Sequence, residues 1–193
     1  CKKYGDFYEL EIELTSELAK YTIKKGSIAI NGISLTIAEV ENNNIKREKS
    51  FMVILVLNCG SSSIKYQVID MGEGRSELLA KGLVDRIGLK EGDLTHKPVG
   101  KDKFELHCPI PDHTTGIRLV LDALTHPEHG VIKSLDELKA AGHRVAHGGE
   151  FFTDSCLVDD EVKAKIESLY SIAPLHNPAN LEGILSMEKV LPG

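Results

Sequence analysis

Residues 5–14 alternate apolar side chains with glutamates along the chain. A period of two is typical of a half-buried β-strand. Residues 15–21 predict a short helical turn, because a threonine and a serine precede a helix-forming run. Two later alternating runs meet at Asn31-Gly32, a pair that normally marks a hairpin or a sharp bend. The first part of the chain is therefore predicted to be all-β, and it is too short to close a barrel.

The pattern of apolar and polar positions changes near residue 50. Residues 41–50 are polar and charged, which indicates a turn or linker, and we assign the junction between the two parts to residues 47–51. Val53–Leu57 is then a wholly apolar run, which predicts a strand that is covered on both faces and central in its sheet. We expect Ile64–Ile69 to pair with this strand, and we predict further strands at 78–84 and within 90–108.

Capping signals predict helices after residue 110. The signals are Asp112, Ser134 with Glu137, Asp159-Asp160, and Asn177 before Pro178. Strands followed by helices predict an α/β domain. The predicted buried faces contain Ile117, Val120, Leu121 and Leu124, then Val162, Ile166 and Leu169, and in the last helix Leu181, Leu185 and Val190.

Composition limits the classes of partner. The formal net charge of −6 argues against a nucleic acid or an anionic membrane as partner, because both usually require a basic protein surface. No apolar run approaches the roughly 18 residues of a membrane span. The chain begins at Cys1 without a methionine or a signal segment, so we expect a fragment of a cytoplasmic protein.

The cysteines and histidines raise two alternatives. The four cysteines lie far apart and form no CxxC pair, which favours reduced thiols over disulfides or zinc. His143 and His147 are spaced like paired metal ligands, but the glycines around them indicate a strand end rather than a helix. A zinc site at this pair is the less favoured interpretation.

The stretch "NCGSSSIK" at residues 58–65 carries the strongest candidate chemistry. Main-chain N–H groups around a glycine can converge on an anion, serine hydroxyls add donors, and a lysine supplies positive charge. The stretch matches neither GxxxxGK[ST] nor GxGxxG, and a strand is predicted to follow it. On pattern alone it is either a phosphate-binding loop or a tight hairpin turn with small polar residues.

Three motifs resemble the acetate and propionate kinase family. They are N-x-G-S-S-S-x-K at Asn58–Lys65, H-R-V-x-H-G-G-E at His143–Glu150, and P-L-H-N-P-A-N at Pro174–Asn180. The resemblance covers Met52–Gly193 and implies an α/β fold of the hexokinase–actin (ribonuclease H-like) type, as the N-terminal kinase domain. In that fold the first β-hairpin turn approaches the nucleotide phosphates, so the resemblance favours the phosphate-binding interpretation.

The resemblance also implies roles for individual residues. Asn58 would belong to the magnesium site and Lys65 would contact ATP phosphate, with Gly60, Ser61 and Ser63 in the phosphate-binding loop. Arg144 would hold the carboxylate or acyl phosphate, since a guanidinium makes paired hydrogen bonds with oxyanions. His176 would donate to the transferring phosphoryl group. From the sequence alone, a surface ion pair is an equal alternative for Arg144.

The implied reaction is reversible phosphoryl transfer from ATP to a short carboxylate, with Mg²⁺. Ala146 and Leu175 would border the acyl pocket together with Arg144. The family often has valine at the position of Ala146, and alanine leaves room for a longer acyl chain. We therefore expect propionate as well as acetate to be a substrate of the full-length protein.

The family's other functional residues lie beyond Gly193. They include the catalytic aspartate, a second arginine, the adenosine-binding segments and the magnesium-ligating glutamate. We therefore expect this chain alone to be inactive or nearly so. The family commonly dimerises, but through its other domain.

Residues 4–46 resemble part of the lumazine-binding barrel of riboflavin synthase. The resemblance rests on "KGSIAINGISLT", and it implies that Lys25, Ser34 and Thr36 lie near a pterin-like ligand. Ordinary strand positions are the favoured alternative for Ser34 and Thr36, because half a barrel cannot form the site. A fusion of two incomplete domains without a catalytic role is the remaining alternative.

Overall fold

The chain contains two compact units, Cys1–Phe51 with Gly72–Arg75, and Met52–Met71 with Ser76–Gly193. The computed structural model describes residues 2–4, 7–13, 27–30, 33–41, 44–47, 52–72 and 76–192. The predicted helical turn at 15–21 lies outside the described residues. Cys1 and Lys25 lie outside them as well.

The first unit contains a five-stranded antiparallel sheet in the order β1-β2-β5-β4-β3. The alternating runs form strands as predicted. Ile30 of β3 lies opposite Ile33 of β4 in an antiparallel pair, while Asn31 and Gly32, where a hairpin or bend was predicted, lie outside the described residues. The strands are β1 Lys2–Tyr4, β2 Phe7–Glu13, β3 Ser27–Ile30, β4 Ile33–Glu41 and β5 Asn44–Arg47.

The second unit contains a six-stranded sheet in the order β10-β9-β8-β7-β6-β11. Strands β6 to β10 form an antiparallel meander, while β11 is parallel to β6. The strands are β6 Val53–Cys59, β7 Ser63–Asp70, β8 Glu77–Asp85, β9 Gly92–Pro98, β10 Phe104–Cys108 and β11 Leu138–His143.

The predicted pairing of Val53–Leu57 with Ile64–Ile69 is confirmed, because β6 and β7 form an antiparallel hairpin. The predicted central position of that strand is wrong. In the described part of the chain β6 lies beside the edge strand β11, because the meander extends the sheet in the other direction only.

Two helices begin at the predicted caps. The Asp112 carboxylate accepts a hydrogen bond from the Thr115 N–H at 2.7 Å, and the Asp159 carboxylate accepts one from the Val162 N–H at 2.8 Å. None of the helices in the described ranges has the length and apolarity needed to cross a membrane. The helices are α1 His113–Leu124, α2 Asp160–Ser168 and α3 Asn177–Val190.

The capping box predicted at Ser134 and Glu137 is present, but the helix is not. It caps only a 3-10 turn, Leu135–Glu137, after which Leu138 enters β11. The chain then pairs with β6, so its backbone groups form hydrogen bonds in the sheet instead of those expected in a helix.

Helix α3 differs from its prediction at its first residue and on its buried face. It begins at Asn177, so His176 is the N-cap, and the Asn177 side chain is fully buried rather than capping. Leu185 is 44% exposed, which contradicts its predicted place on the buried face. The helix buries Leu181, Ile184 and Met187 instead, at spacings of three residues.

Helices α1 and α3 pack on one face of the six-stranded sheet. Gly116 of α1 lies against Ile64, and Gly183 of α3 lies so close to Cys59 that an added Cβ would be 2.3 Å from its sulfur. Residues on the other face are more open, and Val56 is 37% exposed. The prediction that β6 is covered on both faces is therefore wrong for this unit.

Candidate functional site

The loop between β6 and β7 is closed by its own backbone. The Gly60 N–H donates to the Ser63 carbonyl at 2.7 Å, and the Ile87 N–H donates to the Ser62 carbonyl at 3.0 Å. His113, the first residue of α1, donates from Nε2 to the Gly60 carbonyl at 2.7 Å. The carbonyls of Gly60, Ser62 and Ser63 thus each already accept a hydrogen bond.

The donors of the loop remain available. The N–H groups of Ser61 and Ser62 have no hydrogen-bond acceptor in residues 52–72 or 76–192, nor do the three serine hydroxyls. Gly60 contributes space rather than a donor, because an added Cβ would lie 3.3 Å from the Ser63 hydroxyl. The loop therefore presents unused backbone and hydroxyl donors, which are the groups that loops of this kind use to bind anions.

Arg144 is positioned by the parallel pairing of β11 with β6. Its backbone N–H donates to the Leu57 carbonyl at 2.9 Å, which continues the ladder one residue beyond β11. Its side chain is exposed and has no ion pair in the described part of the chain, so the alternative of a surface ion pair has no support there.

Asn58, Lys65 and Arg144 line one open cavity of about 520 Å³. Asn58 lies directly opposite Lys65 in the β6–β7 ladder, so both side chains project from the same face of the sheet. Sequence reasoning assigned these three residues separately. The structure brings them together.

Ala146, Leu175 and His176 line a second cavity of about 320 Å³. The structure therefore places two of the three residues predicted for the acyl pocket beside His176, the residue predicted to donate a hydrogen bond to the transferring phosphoryl group. Arg144 lines the first cavity and not this one, although only Val145 separates it from Ala146. Leu175 is 79% exposed, so this cavity is open to solvent.

Two asparagines that sequence reasoning did not assign to the site connect its parts. Asn180 donates from Nδ2 to the Cys59 carbonyl at 2.7 Å and accepts at Oδ1 from the Ala146 N–H at 2.9 Å. Asn177 bonds both the N–H and the carbonyl of His147, at 3.2 and 3.0 Å. The sequence signal for these residues was the spacing of two asparagines at positions i and i+3 of a predicted helix, which places both side chains on one helix face. Once that face is buried, both amides need hydrogen-bond partners.

Two titratable groups near the loop, Cys59 and His143, are held neutral by burial. Burial raises the pKa of the Cys59 thiol to about 12, so it is no nucleophile at neutral pH. Burial lowers the pKa of His143 to about 4, against a smaller opposing effect of Glu188. His143 is thus a neutral imidazole at pH 7.

Three of the four cysteines and all of the described histidines bear on the disulfide and metal-site alternatives. Cys59, Cys108 and Cys156 are free thiols. In the described ranges, no three residues of the types His, Cys, Asp and Glu are grouped as for a metal ion. Of the predicted lumazine-site residues, Ser34 and Thr36 lie on β4, where Ala29 and Ser27 of β3 are their pairing partners.

Sequence profiles of two families match the chain. The Acetokinase family matches residues 53–193, and the Lumazine binding domain matches residues 1–59. The two matches overlap at residues 53–59, which form β6 of the six-stranded sheet. The lumazine match extends beyond the resemblance noted at residues 4–46.

Acetate kinases are similar to the second part of the chain. Acetate kinase of Thermoanaerobacter pseudethanolicus is 53% identical over 142 residues, and acetate kinase 2 of Clostridium perfringens is 55% identical over 141 residues. These matches cover 74% and 73% of this chain, but only 35% of either relative. The chain thus spans about a third of their length.

Solved structures agree with these sequence matches. Porphyromonas gingivalis acetate kinase is similar with a TM-score of 0.70 and 43% identity, over 74% of this chain and 35% of that one. A Francisella tularensis propionate kinase gives 0.65 and 34% identity, over 73% and 34%. The predicted hexokinase–actin type of α/β fold is thereby confirmed. The motifs, the sheet and these similarities together establish that the chain belongs to the acetokinase family.

Proposed function

We propose that the protein carrying this domain phosphorylates acetate, and also propionate, with ATP to give an acyl phosphate and ADP. The observation that supports the proposal is the shared cavity of Asn58, Lys65 and Arg144 beside a loop with unused N–H donors. Phosphoryl transfer depends mainly on alignment and on neutralising distributed negative charge, and these groups supply both.

The serine loop and Lys65 would hold phosphate groups. Ser61 and Ser63 contribute hydroxyls, while Gly60 allows the tight turn that keeps them together. Lys65 is exposed beside the loop and can follow a phosphate on its flexible stem. Arg144 would bind the carboxylate or acyl phosphate in a two-point geometry that a lysine cannot reproduce.

Asn58 fits a role as a ligand of Mg²⁺. Asn58 lines the cavity, its side chain has no partner in the described residues, and Mg²⁺ prefers oxygen ligands such as an amide oxygen. Mg²⁺ commonly uses few protein ligands together with substrate phosphates. When bound, the ion neutralises charge on the phosphate oxygens.

His176 would donate a hydrogen bond to the transferring phosphoryl group, and Ala146 and Leu175 would border the acyl chain. These three residues share the second cavity, which supports a common role. The side chain of His176 makes no cap hydrogen bond to α3, so its ring is not occupied by the helix.

The chain spans only 35% of the length of the matched acetate kinase. We propose that the chain alone does not complete turnover, and that the whole protein is a cytoplasmic homodimer. A direct test joins residues 52–193 to the C-terminal part of a complete acetate kinase and measures acyl phosphate formation.

In that fused protein Arg144→Ala should lower kcat/KM by at least about 100-fold, or about 2.7 kcal/mol. The matched control is Arg118→Ala, which removes an exposed arginine on α1 outside both cavities and should leave kcat/KM unchanged. Full activity of the Arg144 variant would remove the main support for the proposal.

A lumazine-type ligand is the rival, because the lumazine-binding match covers residues 1–59. Titration of the 193-residue chain, followed by NMR, separates the two. Mg-ATP should shift the amide signals of residues 60–65. Shifts of residues 25–36 with a lumazine analogue, without any response to Mg-ATP, would favour the rival.

A further inference from the structure

The open face of the six-stranded sheet carries unpaired positive charge. Four cations, Lys65, Lys81, Lys97 and Arg144, line the 520 Å³ cavity, and its other eight lining residues are uncharged. The whole chain has a formal net charge of −6, so this concentration of one sign does not follow from composition. A cleft lined by one sign of charge concentrates ions of the other sign.

Two of these cations lie side by side in the ladder. Lys81 of β8 is directly opposite Lys97 of β9, and directly opposite residues of an antiparallel pair project from the same face. Like charges in this arrangement destabilise a sheet. Gln67 of β7 lies opposite Lys81 on its other side, so no carboxylate interrupts the row.

The four cations have no compensating partner in the described residues. Neither an ion pair nor a side-chain hydrogen bond involves Lys65, Lys81, Lys97 or Arg144 within residues 52–72 and 76–192. Other lysines of the same unit are paired. Lys163 and Lys165 on α2 both contact glutamates at 2.7–2.9 Å.

We propose that Lys81 and Lys97 form a second anion subsite in this cavity, and that the cavity takes a ligand with several linked phosphate groups. The first subsite is the serine loop with Lys65. The inference rests on the proposed function only for this first subsite. Lys65 and Lys97 lie on strands two spacings apart, about 10 Å, which a phosphate chain can follow from one subsite to the other.

Phosphate is a better match than a carboxylate for this row. Ammonium groups on flexible stems bind phosphate oxygens as point charges, without the fixed fork that recognises a planar carboxylate. Val56 and Leu83 lie beside the charges and lower the local polarity, which strengthens their attraction for an anion. The linked phosphates can belong to free inorganic oligophosphate or to a nucleotide.

The test uses the 193-residue chain labelled with ¹⁵N, at constant ionic strength. Inorganic tripolyphosphate and ATP are titrated separately, with adenosine as the ligand that lacks phosphate. The amide signals of residues 81, 82 and 97 should shift with tripolyphosphate and not with adenosine. Equal shifts with adenosine would contradict a phosphate subsite. A response to ATP as well would indicate that a nucleotide can supply the phosphates.

The variant pair Lys81→Gln and Lys97→Gln should weaken tripolyphosphate binding at least about tenfold, or about 1.4 kcal/mol, since charge-assisted contacts to the phosphate oxygens are lost. The matched control is Lys163→Gln with Lys165→Gln, which removes the same charge from α2. Its affinity should change by less than about twofold, since only long-range, screened attraction is lost.

The affinities of the variants and the positions of the shifted signals decide the proposal. Restored affinity in Lys81→Arg with Lys97→Arg supports it, because the charge returns without the original side chain. Unchanged affinity in the glutamine pair, or an equal loss in the α2 control, overturns it. Shifts at 60–65 with no effect of the glutamine pair would leave the proposed function intact and reject only the second subsite. Shifts at 81 and 97 without any at 60–65 would support the lysine subsite and contradict the phosphate role of the serine loop.

Discussion

The side chain of Asn180 donates to the backbone carbonyl of Cys59 at 2.7 Å, across 121 residues of sequence. The same side chain holds the Ala146 N–H, so one buried amide joins the start of the serine loop to the segment that follows Arg144. Both hydrogen-bonding ends of the amide are used. Asn180 on α3 therefore fixes the distance between the serine loop and the segment after Arg144.

Asn180→Ala should destabilise the second unit by about 2–3 kcal/mol, because a buried carbonyl and a backbone N–H lose their partner together. Chemical denaturation followed by circular dichroism measures the change. Lys189→Ala, an exposed change on the same helix, is the control and should lie within about 0.5 kcal/mol of the wild type. Equal stability of the two variants would show that water replaces the amide without loss.

Gly82→Ala should destabilise the sheet by about 1–3 kcal/mol through overpacking. An added Cβ would lie 2.3 Å from Cζ of Tyr66, whose hydroxyl contacts His96 Nδ1 at 2.7 Å. Gly142→Ala is the matched control, because its Cβ would come no nearer than 4.0 Å to another residue. In a Tyr66→Leu background the cost of Gly82→Ala should shrink, and an undiminished cost would contradict a clash with the Tyr66 ring.

The free energy of unfolding should fall below pH 6.5 partly because of His143. Burial lowers its pKa from 6.5 to about 4 in the folded protein, so the unfolded chain takes up a proton first as the pH falls. The loss from this residue is limited to about 1.4 kcal/mol per pH unit between pH 6.5 and 4. His143→Gln should flatten the stability profile over that range and leave its slope between pH 7 and 8 unchanged. Parallel profiles from pH 7 to 4 would refute the assignment.

Ala146→Val in the fused kinase should lower kcat/KM for propionate more than for acetate. The added methyl groups would occupy space that the longer acyl chain needs, and one methylene in a pocket changes discrimination by about 1–3 kcal/mol. The ratio of the two kcat/KM values is the measurement. Equal losses for both substrates would show that Ala146 does not line the acyl pocket.

Much of the local structure was predictable from the sequence. The apolar run at Val53–Leu57, the small polar loop and the next run predict a hairpin, and β6 and β7 form it. Asp112 and Asp159 cap helices where their positions predict them, because a cap depends only on neighbours three residues away. The three motifs also identified the family, since they are read residue by residue.

Contacts between distant segments could be decided only by the tertiary structure. The capping box at Ser134 satisfies its local rule, yet the chain becomes β11 because pairing with β6 supplies backbone hydrogen bonds along a whole strand. Asn177 looks like a helix cap, but burial against the His147 loop requires partners for both ends of its amide.

The arrangement of the site has the same origin. Sequence alone selected the candidate residues: Asn58, Lys65 and Arg144 each occupy a motif position. The parallel register of β11 with β6 decided that Arg144 lies beside the other two, and the β8–β9 register decided that Lys81 lies opposite Lys97. Strand register depends on which face each strand buries against α1 and α3, and that is a property of the packed sheet rather than of any single segment.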